Sequence, residues 1–532
     1  MCVPGWAGNG VPPTSYPLCQ RSHPARSAGE GCRLDAGPTS VQQVSADDVF
    51  STATTEVSRP DYDRSRITTG IVHIGVGGFH RAHQALAVDR LLRQGEAYEW
   101  GICGVGLLPG DRRMQQVMAD QDGCYTLVEK SPDGSWSARV VGSIVDYLFA
   151  PDDPEVVIER LADPATRILS LTVTEGGYNI YPVTGAFDLA NPAVAADLTA
   201  EAPPTTTFGL VVEGLRRRRD RGTGPFTVMS CDNIPGNGVV ARRAFTSYAR
   251  ALDPDLADWI EDQVAFPNGM VDRITPVTTS EDIAAITERF GVRDAWPVVA
   301  EPFFQWVLED TFVAGRPAWQ DAGVQLVPDV EPYELMKLRL LNSGHQGVAY
   351  FGHLMGYRYV HDAAQDPTFA GYLLRYMRRE GIPTLPPVPG IDLVDYTDSL
   401  IERFGNAEVR DTVARLAAES SDRIPKWLVP VIKANLASGG EIDVSAAIVA
   451  SWARYAEGVD EHGEPIEVVD RIAEERMAAA ARRSEDPQSF VRNPDLFGDL
   501  ADQPRFAESY LRALESLHTR GAAATVADLA AN

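Results

Sequence analysis

The sequence predicts an α/β protein, a doubly wound parallel sheet followed by a mainly α-helical domain, and three observations lead there. Short β-branched runs, "GIVHIGVG", "WGICGVG", "TRILSLTVT" and "PFTVMSCDN", alternate with helical segments from about Thr68 onward, the pattern of parallel strands with helices on both faces. After about residue 330 the strands give out, and "DPTFAGYLLRYMRRE", "AEVRDTVARLAAES" and "VSAAIVASWARYAEG" carry helical periodicity instead. With 532 residues and 44% apolar content, the chain can fill more than one core. The expected organisation is an extension over 1–60, a sheet domain over 61–328 and a helical domain over 329–532.

Residues 1–60 are rich in Pro, Gly, Ser and Thr without sustained periodicity, so they are expected to be disordered. The formal charge of -26 repels phosphate backbones, which argues against nucleic acid and anionic membrane surfaces as partners. The basic cluster Arg216 to Arg219 follows the apolar stretch "FGLVVEGL" and precedes Gly222, as a helix C-terminus would. Six cysteines show neither a C-x-x-C pair nor zinc-ribbon spacing, so no metal or disulfide framework is predicted. No apolar run reaches the roughly 18 residues of a membrane span, and no signal-peptide core is evident, so a cytoplasmic location is expected.

The first strand ends in "IVHIGVGGFHRAHQA", which turns through Gly75, Gly77 and Gly78 into a helix beginning with Phe79, His80 and Arg81. Glycines at such a turn let a pyrophosphate approach the backbone and rest on the helix N-terminus, so this segment is the expected cofactor site. His80 and His83 stand three apart, but no cysteine or carboxylate cluster completes a metal shell, and no metal is predicted. Asp111, after the second strand, suits the ribose hydroxyls of NAD, or else caps the following helix; Arg112 and Arg113 are suited to the 2'-phosphate of NADP.

The helix opening at Pro332 poses the sharpest question, because "YELMKLRLLNSGHQGVAYFGHLMGY" is apolar on most faces yet contains a lysine, an asparagine and a histidine. At about 100° per residue, Lys337 at zero puts Leu341 near 40°, Glu334 near 60°, His345 near 80° and Asn342 near 140°. One side of the helix thus presents the polar groups. Lys337 either snorkels to the surface or is a general base whose ammonium form burial disfavours.

The "GVGGFHRAHQ" turn, "SLTVTEGGY", "FTVMSCDN", "FPNGMVDRITP", "EPFFQWVLED" and "MKLRLLNSGH" together resemble the polyol-specific long-chain dehydrogenases, from about residue 60 to the C-terminus. The K-x-x-x-x-N-x-x-H spacing is the most specific element. The resemblance implies a Rossmann-type doubly wound parallel sheet domain, a mainly α-helical C-terminal domain and NAD-dependent, metal-independent oxidation of a polyol hydroxyl to a ketose, D-mannitol to D-fructose above the alternatives of D-arabinitol oxidation and fructuronate reduction. It implies Lys337 as general acid/base, Asn233 and Asn342 as donors to the reacting oxygen, and Glu334 as proton relay. Asp272, His345, Arg415 and Arg423 would bind substrate, and the protein would be a monomer. Where the family commonly carries a lysine, this chain reads "SSDRIPK", with Arg423 keeping the charge and Asp422 new beside it.

Overall fold

Strands whose two faces are both covered read as unbroken apolar runs, and "GIVHI" behaves that way: Ile71 packs into one core and Val72 into another on the opposite face. The computed structural model describes residues 49–181, 185–199 and 202–531. Its strands, in chain order, are β1 (Val57–Ser58), β2 (Thr69–Ile74), β3 (Gly101–Gly106), β4 (Tyr125–Lys130), β5 (Trp136–Val141), β6 (Ile144–Phe149), β7 (Ile168–Leu171), β8 (Thr227–Ser230), β9 (Gly269–Asp272), β10 (Val298–Ala300), β11 (Gln305–Glu309) and β12 (Gln325–Val327). Five of these form the central sheet in the order β6-β3-β2-β7-β8, and every neighbouring pair is parallel. The four runs picked out in the sequence are β2, β3, β7 and β8.

The order reverses between β2 and β7, and the carboxyl ends of those strands open the crevice where α/β sheets bind ligands. Helices Pro154–Ala162 and Thr207–Asp220 cover one face through Val157, Leu161, Leu210 and Leu215, while helix Gln84–Arg93 covers the other through Leu86 and Leu91. The arginine cluster ends helix Thr207–Asp220 as expected. Arg217 pairs with Glu155, Glu159 and Glu213, and Arg218 donates to the Asp163, Thr166 and Gly224 carbonyls.

Two smaller sheets were not legible in the sequence. One runs β1-β5-β4-β10, with β4 and β5 an antiparallel hairpin; the other runs β12-β11-β9. β1 and β9 to β12 are two to five residues long, and β9 is "GMVD", too brief for any period to show; β4 and β5, six residues each, were not picked out. β9 is nevertheless the strand that carries Asp272 into the site.

One expectation is corrected here. Residues 1–48 lie outside the described residues, but 49–60, read as part of a disordered extension, pack onto the fold. Val49 and Phe50 are 2% and 7% exposed and lie against Ile286, Phe290 and Val299, and β1 pairs in parallel with β5. Two adjacent apolar residues have no periodicity to read.

From Glu331 onward the described residues hold no strand, and helices share one core. Helix Asp443–Tyr455, buried from Val444 to its end, packs against Pro504–Thr519 and against helix Ser343–Leu354. Truncating Phe50 to Ala is expected to cost about 3 kcal/mol through the lost burial and the cavity left behind. Circular dichroism of thermal unfolding checks this, and an unchanged midpoint would mean that the segment does not pack.

Candidate active site

The helix carrying Lys337 is not a uniform α-helix. It runs as Glu331–Met336, widens to a π segment at Lys337–Asn342 and resumes as Ser343–Leu354. The even 100° phase is therefore corrected: a π turn repeats at five residues, which brings Asn342 toward the face of Lys337 rather than near 140° from it. Ser343 Oγ donates to the Leu338 carbonyl at 3.1 Å, five residues back, tying off one acceptor of the widened turn.

Lys337 does not snorkel, being only 6% exposed. Its Nζ donates to Asn233 Oδ1 at 2.7 Å and to the Val271 carbonyl. Burial lowers its pKa to about 8, against the opposing pull of Asp272. Because Asn233 Oδ1 faces the lysine, the amide's N–H donors are left for another acceptor. One turn back, Glu334 Oε1 accepts from the Gly236 N–H at 3.0 Å, and burial raises its carboxyl to about 7. Asn233, Glu334 and Lys337 border a void of about 10 Å³, the space of a single water.

On the other side of Lys337 opens a cleft of about 340 Å³, which Phe79, Asn233, Asp272, Asn342, His345, Arg415 and Arg423 line with it. Residues read separately from six stretches of sequence thus meet at one place. His345 lies 4.5 Å from the Phe404 ring, and burial keeps its imidazole neutral by lowering its pKa to about 3. Among the described residues, His345 Nε2 and Asn342 Oδ1 are buried without a hydrogen-bond partner. Arg415 is held by Asp411 at 2.6 Å, while Arg423 donates to the Leu416 carbonyl at 3.0 Å and lies over Trp427. Asp422, the departure beside Arg423, pairs with Arg471 at 3.0 Å and is not among the cleft residues.

Asp272, expected to bind substrate, lines the cleft and is also held by protein groups. Arg403 forks onto both its oxygens at 2.8 and 2.7 Å, and Tyr396 Oη donates to it at 3.2 Å. Arg403 also reaches Glu301 at 3.0 and 2.8 Å. Sequence reasoning missed Arg403, Tyr396 and Glu301. A signal existed: Tyr396, Leu400 and Arg403 follow one another at helical spacing in helix Leu393–Phe404, so the arginine falls on its buried face.

At the glycine turn, Gly75 adopts φ +95, and a Cβ there would sit 2.1 Å from the Thr172 carbonyl oxygen, where β2 and β7 end side by side. Gly77 precedes helix Gly78–Ala82, and a Cβ on it would meet nothing closer than 3.9 Å. The helix N-terminus is thus open to an anion. His80 and Arg81, expected to hold the cofactor, instead support the turn from beneath. His80 is fully buried and stacks on His73 at 3.4 Å, and Arg81 donates to the Trp296 carbonyl at 2.5 Å. His73 in turn bonds Ser170 at 2.8 Å and Thr172 at 3.0 Å, and burial keeps all three imidazoles, His73, His80 and His83, neutral. Asp111 makes no side-chain cap to helix Arg112–Asp120; its Oδ2 instead accepts from the Leu107 and Leu108 N–H groups at 2.9 Å, closing the 3-10 turn Pro109–Asp111 before it. Arg112 is paired with Asp152, and Arg113 lies over the Trp296 ring at 4.4 Å. Among the described residues no three His, Cys, Asp or Glu side chains are grouped to hold a metal, and no helix is long and apolar enough to cross a membrane.

Residues 69–321 match the mannitol dehydrogenase Rossmann domain, and residues 329–518 match the mannitol dehydrogenase C-terminal domain. The chain belongs to the mannitol dehydrogenase family. A mannitol 2-dehydrogenase of Phaeosphaeria nodorum is 46% identical over 89% of this chain and 84% of its own length. A mannitol dehydrogenase of Saccharomyces cerevisiae is 44% identical over 88% of this chain and 94% of its own. The structure of Pseudomonas fluorescens mannitol 2-dehydrogenase in ternary complex with NAD and D-mannitol is 43% identical, with a TM-score of 0.82 over 90% of this chain and 98% of that one. A substrate-free D-sorbitol dehydrogenase is 41% identical, with a TM-score of 0.83 over 89% and 98%.

The two glycines make the turn testable in a family whose name implies catalysis. Gly75→Ala is expected to lower the unfolding midpoint sharply, because the new methyl would collide with backbone at a left-handed φ. Gly77→Ala is expected to leave the midpoint nearly unchanged. Calorimetry on the two variants reads the difference, and equal effects would contradict the geometry.

Proposed function

We propose that the chain catalyses reversible NAD-dependent oxidation of D-mannitol to D-fructose, with Lys337 as general acid/base and no metal. The observation carrying this reading is the buried Lys337, its pKa lowered to about 8, set between Asn233 and the cleft. The ternary complex of the Pseudomonas relative with NAD and D-mannitol supports the choice of cofactor and substrate. The open Gly75–Gly78 turn at the switch between β2 and β7 fits a dinucleotide, whose pyrophosphate would rest on the N-terminus of helix Gly78–Ala82. When bound there, NAD+ supplies the acceptor for the hydride.

Neutral Lys337 takes the proton of the reacting hydroxyl. The amide N–H groups of Asn233 and Asn342 donate to the oxygen as negative charge grows on it, a role in which one preorganised donor is typically worth about 2.7–4 kcal/mol. The proton then passes through the void beside Lys337 toward Glu334. His345, Arg415 and Arg423 meet the remaining hydroxyls, together with the face of Asp272 that Arg403 leaves open to the cleft. In the reverse direction ammonium Lys337 donates to the ketose oxygen.

Lys337→Ala is expected to fold and to lose about 10² to 10⁴-fold in turnover, the usual worth of general acid-base catalysis. Added primary amines should restore part of it by entering the vacated space. The wild-type rate of mannitol oxidation should rise with pH through about 8, where Lys337 loses its proton, while fructose reduction falls over the same range. A folded Lys337→Ala enzyme with near-normal turnover would overturn the mechanism. The assay compares mannitol with sorbitol, D-arabinitol and D-mannonate, and mannitol should give the highest kcat/KM.

Cofactor choice forms a separate expectation. NAD+ should be preferred over NADP+, because Asp111 would repel a 2'-phosphate and Arg112 and Arg113 are already engaged elsewhere. Steady-state kcat/KM with both cofactors decides it, and preference for NADP+ would remove Asp111 from the cofactor site.

A further inference from the structure

Three buried charges stand between the sheet region and the helical region beside the catalytic cleft: Asp272 at the end of β9, Glu301 just beyond β10, and Arg403 on helix Leu393–Phe404. They are 2%, 1% and 7% exposed. Arg403 spends Nη1 and Nη2 on Asp272, and Nε and Nη2 on Glu301, so one guanidinium serves two carboxylates. Its plane also lies 3.9 Å from the Phe303 ring centroid, which fixes where the charge sits. The Ile274 N–H donates to Glu301 Oε1 at 2.6 Å, so Glu301 is anchored independently of Arg403.

We infer that Arg403 is a positioning residue for the reaction: by forking onto Asp272, with Glu301 limiting its own positive charge, it stops Asp272 from holding Lys337 in the ammonium form. This rests on Lys337 being the base.

The charges facing Lys337 come from every element packed on it. Glu334 lies on its own helix, Asp272 on β9, and Arg403 on the helix across the cleft, with Glu301 behind it; Arg415, paired with Asp411, and Arg423 line the same cleft. His83, below the glycine turn, is kept neutral by burial, and Arg273 is directed away, onto Glu129 and the Glu301 carbonyl. Asp272 favours the charged lysine and Arg403 opposes it. A bare Asp272 would keep the lysine protonated to higher pH, leaving less of it free to act as a base. A bare arginine would lower its proton affinity further and weaken it as the acid of the reverse reaction. The triad sets a value between the two.

The test is the pH dependence of kcat/KM for mannitol oxidation in the wild type and three variants, each checked for folding by circular dichroism and NADH binding. Arg403→Gln removes the cation, and the apparent ionisation of the base should move to higher pH by about one unit or more. Glu301→Gln unmasks more of the Arg403 charge, and the ionisation should move to lower pH. Arg403→Lys keeps the charge without the fork and should hold the profile nearer the wild type than Arg403→Gln does. Opposite displacements support the inference, and Glu301→Gln with Arg403→Lys test it alone if Arg403→Gln does not fold. Variants that fold and lose activity equally at every pH, with the ionisation unmoved, would overturn it and leave Arg403 a purely structural residue. A wild type with no ionisation near the expected value would overturn the reading of Lys337, and this inference with it.

Discussion

A buried ammonium is the constraint around which the rest of the site is arranged. Taking a lysine out of water is costly unless its protons find acceptors and its charge finds a counterion. Lys337 finds Asn233 Oδ1, from the loop after β8, and the Val271 carbonyl, from β9, while Asp272, next along β9, supplies the opposite charge. None of these lies on the lysine's own helix. The helical region and the sheet region must therefore meet in one register for Lys337 to be accommodated, and the Arg403 fork onto Asp272 and Glu301 fixes that register with directional bonds. Such a buried network adds little net stability compared with apolar packing; its contribution is to specify one arrangement.

The π segment belongs to the same arrangement. In a regular α-helix Lys337 and Asn342 would point well apart, and only one of them could face the cleft squarely. Widening the turn costs hydrogen-bond geometry, and π turns persist mostly where function needs them. Here the widening lets Lys337 and Asn342 from one helix converge on a single cleft, while Asn233 approaches from the sheet side. Nothing in "KLRLLN" announces this, because each residue in it is an ordinary helix former.

Legibility in the sequence follows burial. β2, β3, β7 and β8 could be read because both of their faces are covered, which forces continuous β-branched runs; β9 to β12 are three to five residues long and carry no period. Lys337, Asn342 and His345 were visible as polar residues in an apolar helix, where each needs a reason. Arg403 was hidden by the opposite circumstance, a charged residue in an ordinary amphipathic helix, and only its phase with Tyr396 and Leu400 betrays it. His80 and Arg81 were misassigned because neighbourhood to a glycine turn does not say which side of the chain faces the ligand. His80 stacks on His73, whose bonds to Ser170 and Thr172 tie the ends of β2 and β7 together, while Arg81 donates to the Trp296 carbonyl.

The electrostatics of the site also explain why two carboxylates near one lysine are not redundant. Asp272 is buried, which alone would raise its carboxyl, yet Arg403 more than offsets this and holds it below the ordinary range. Glu334 has no cation bonded to it, and burial raises it to about 7, close to the value of about 8 for Lys337. The two values lie close together, which sets Glu334 apart from Asp272. The two carboxylates thus sit in separate surroundings, Glu334 behind the lysine beside the water-sized void and Asp272 in the cleft.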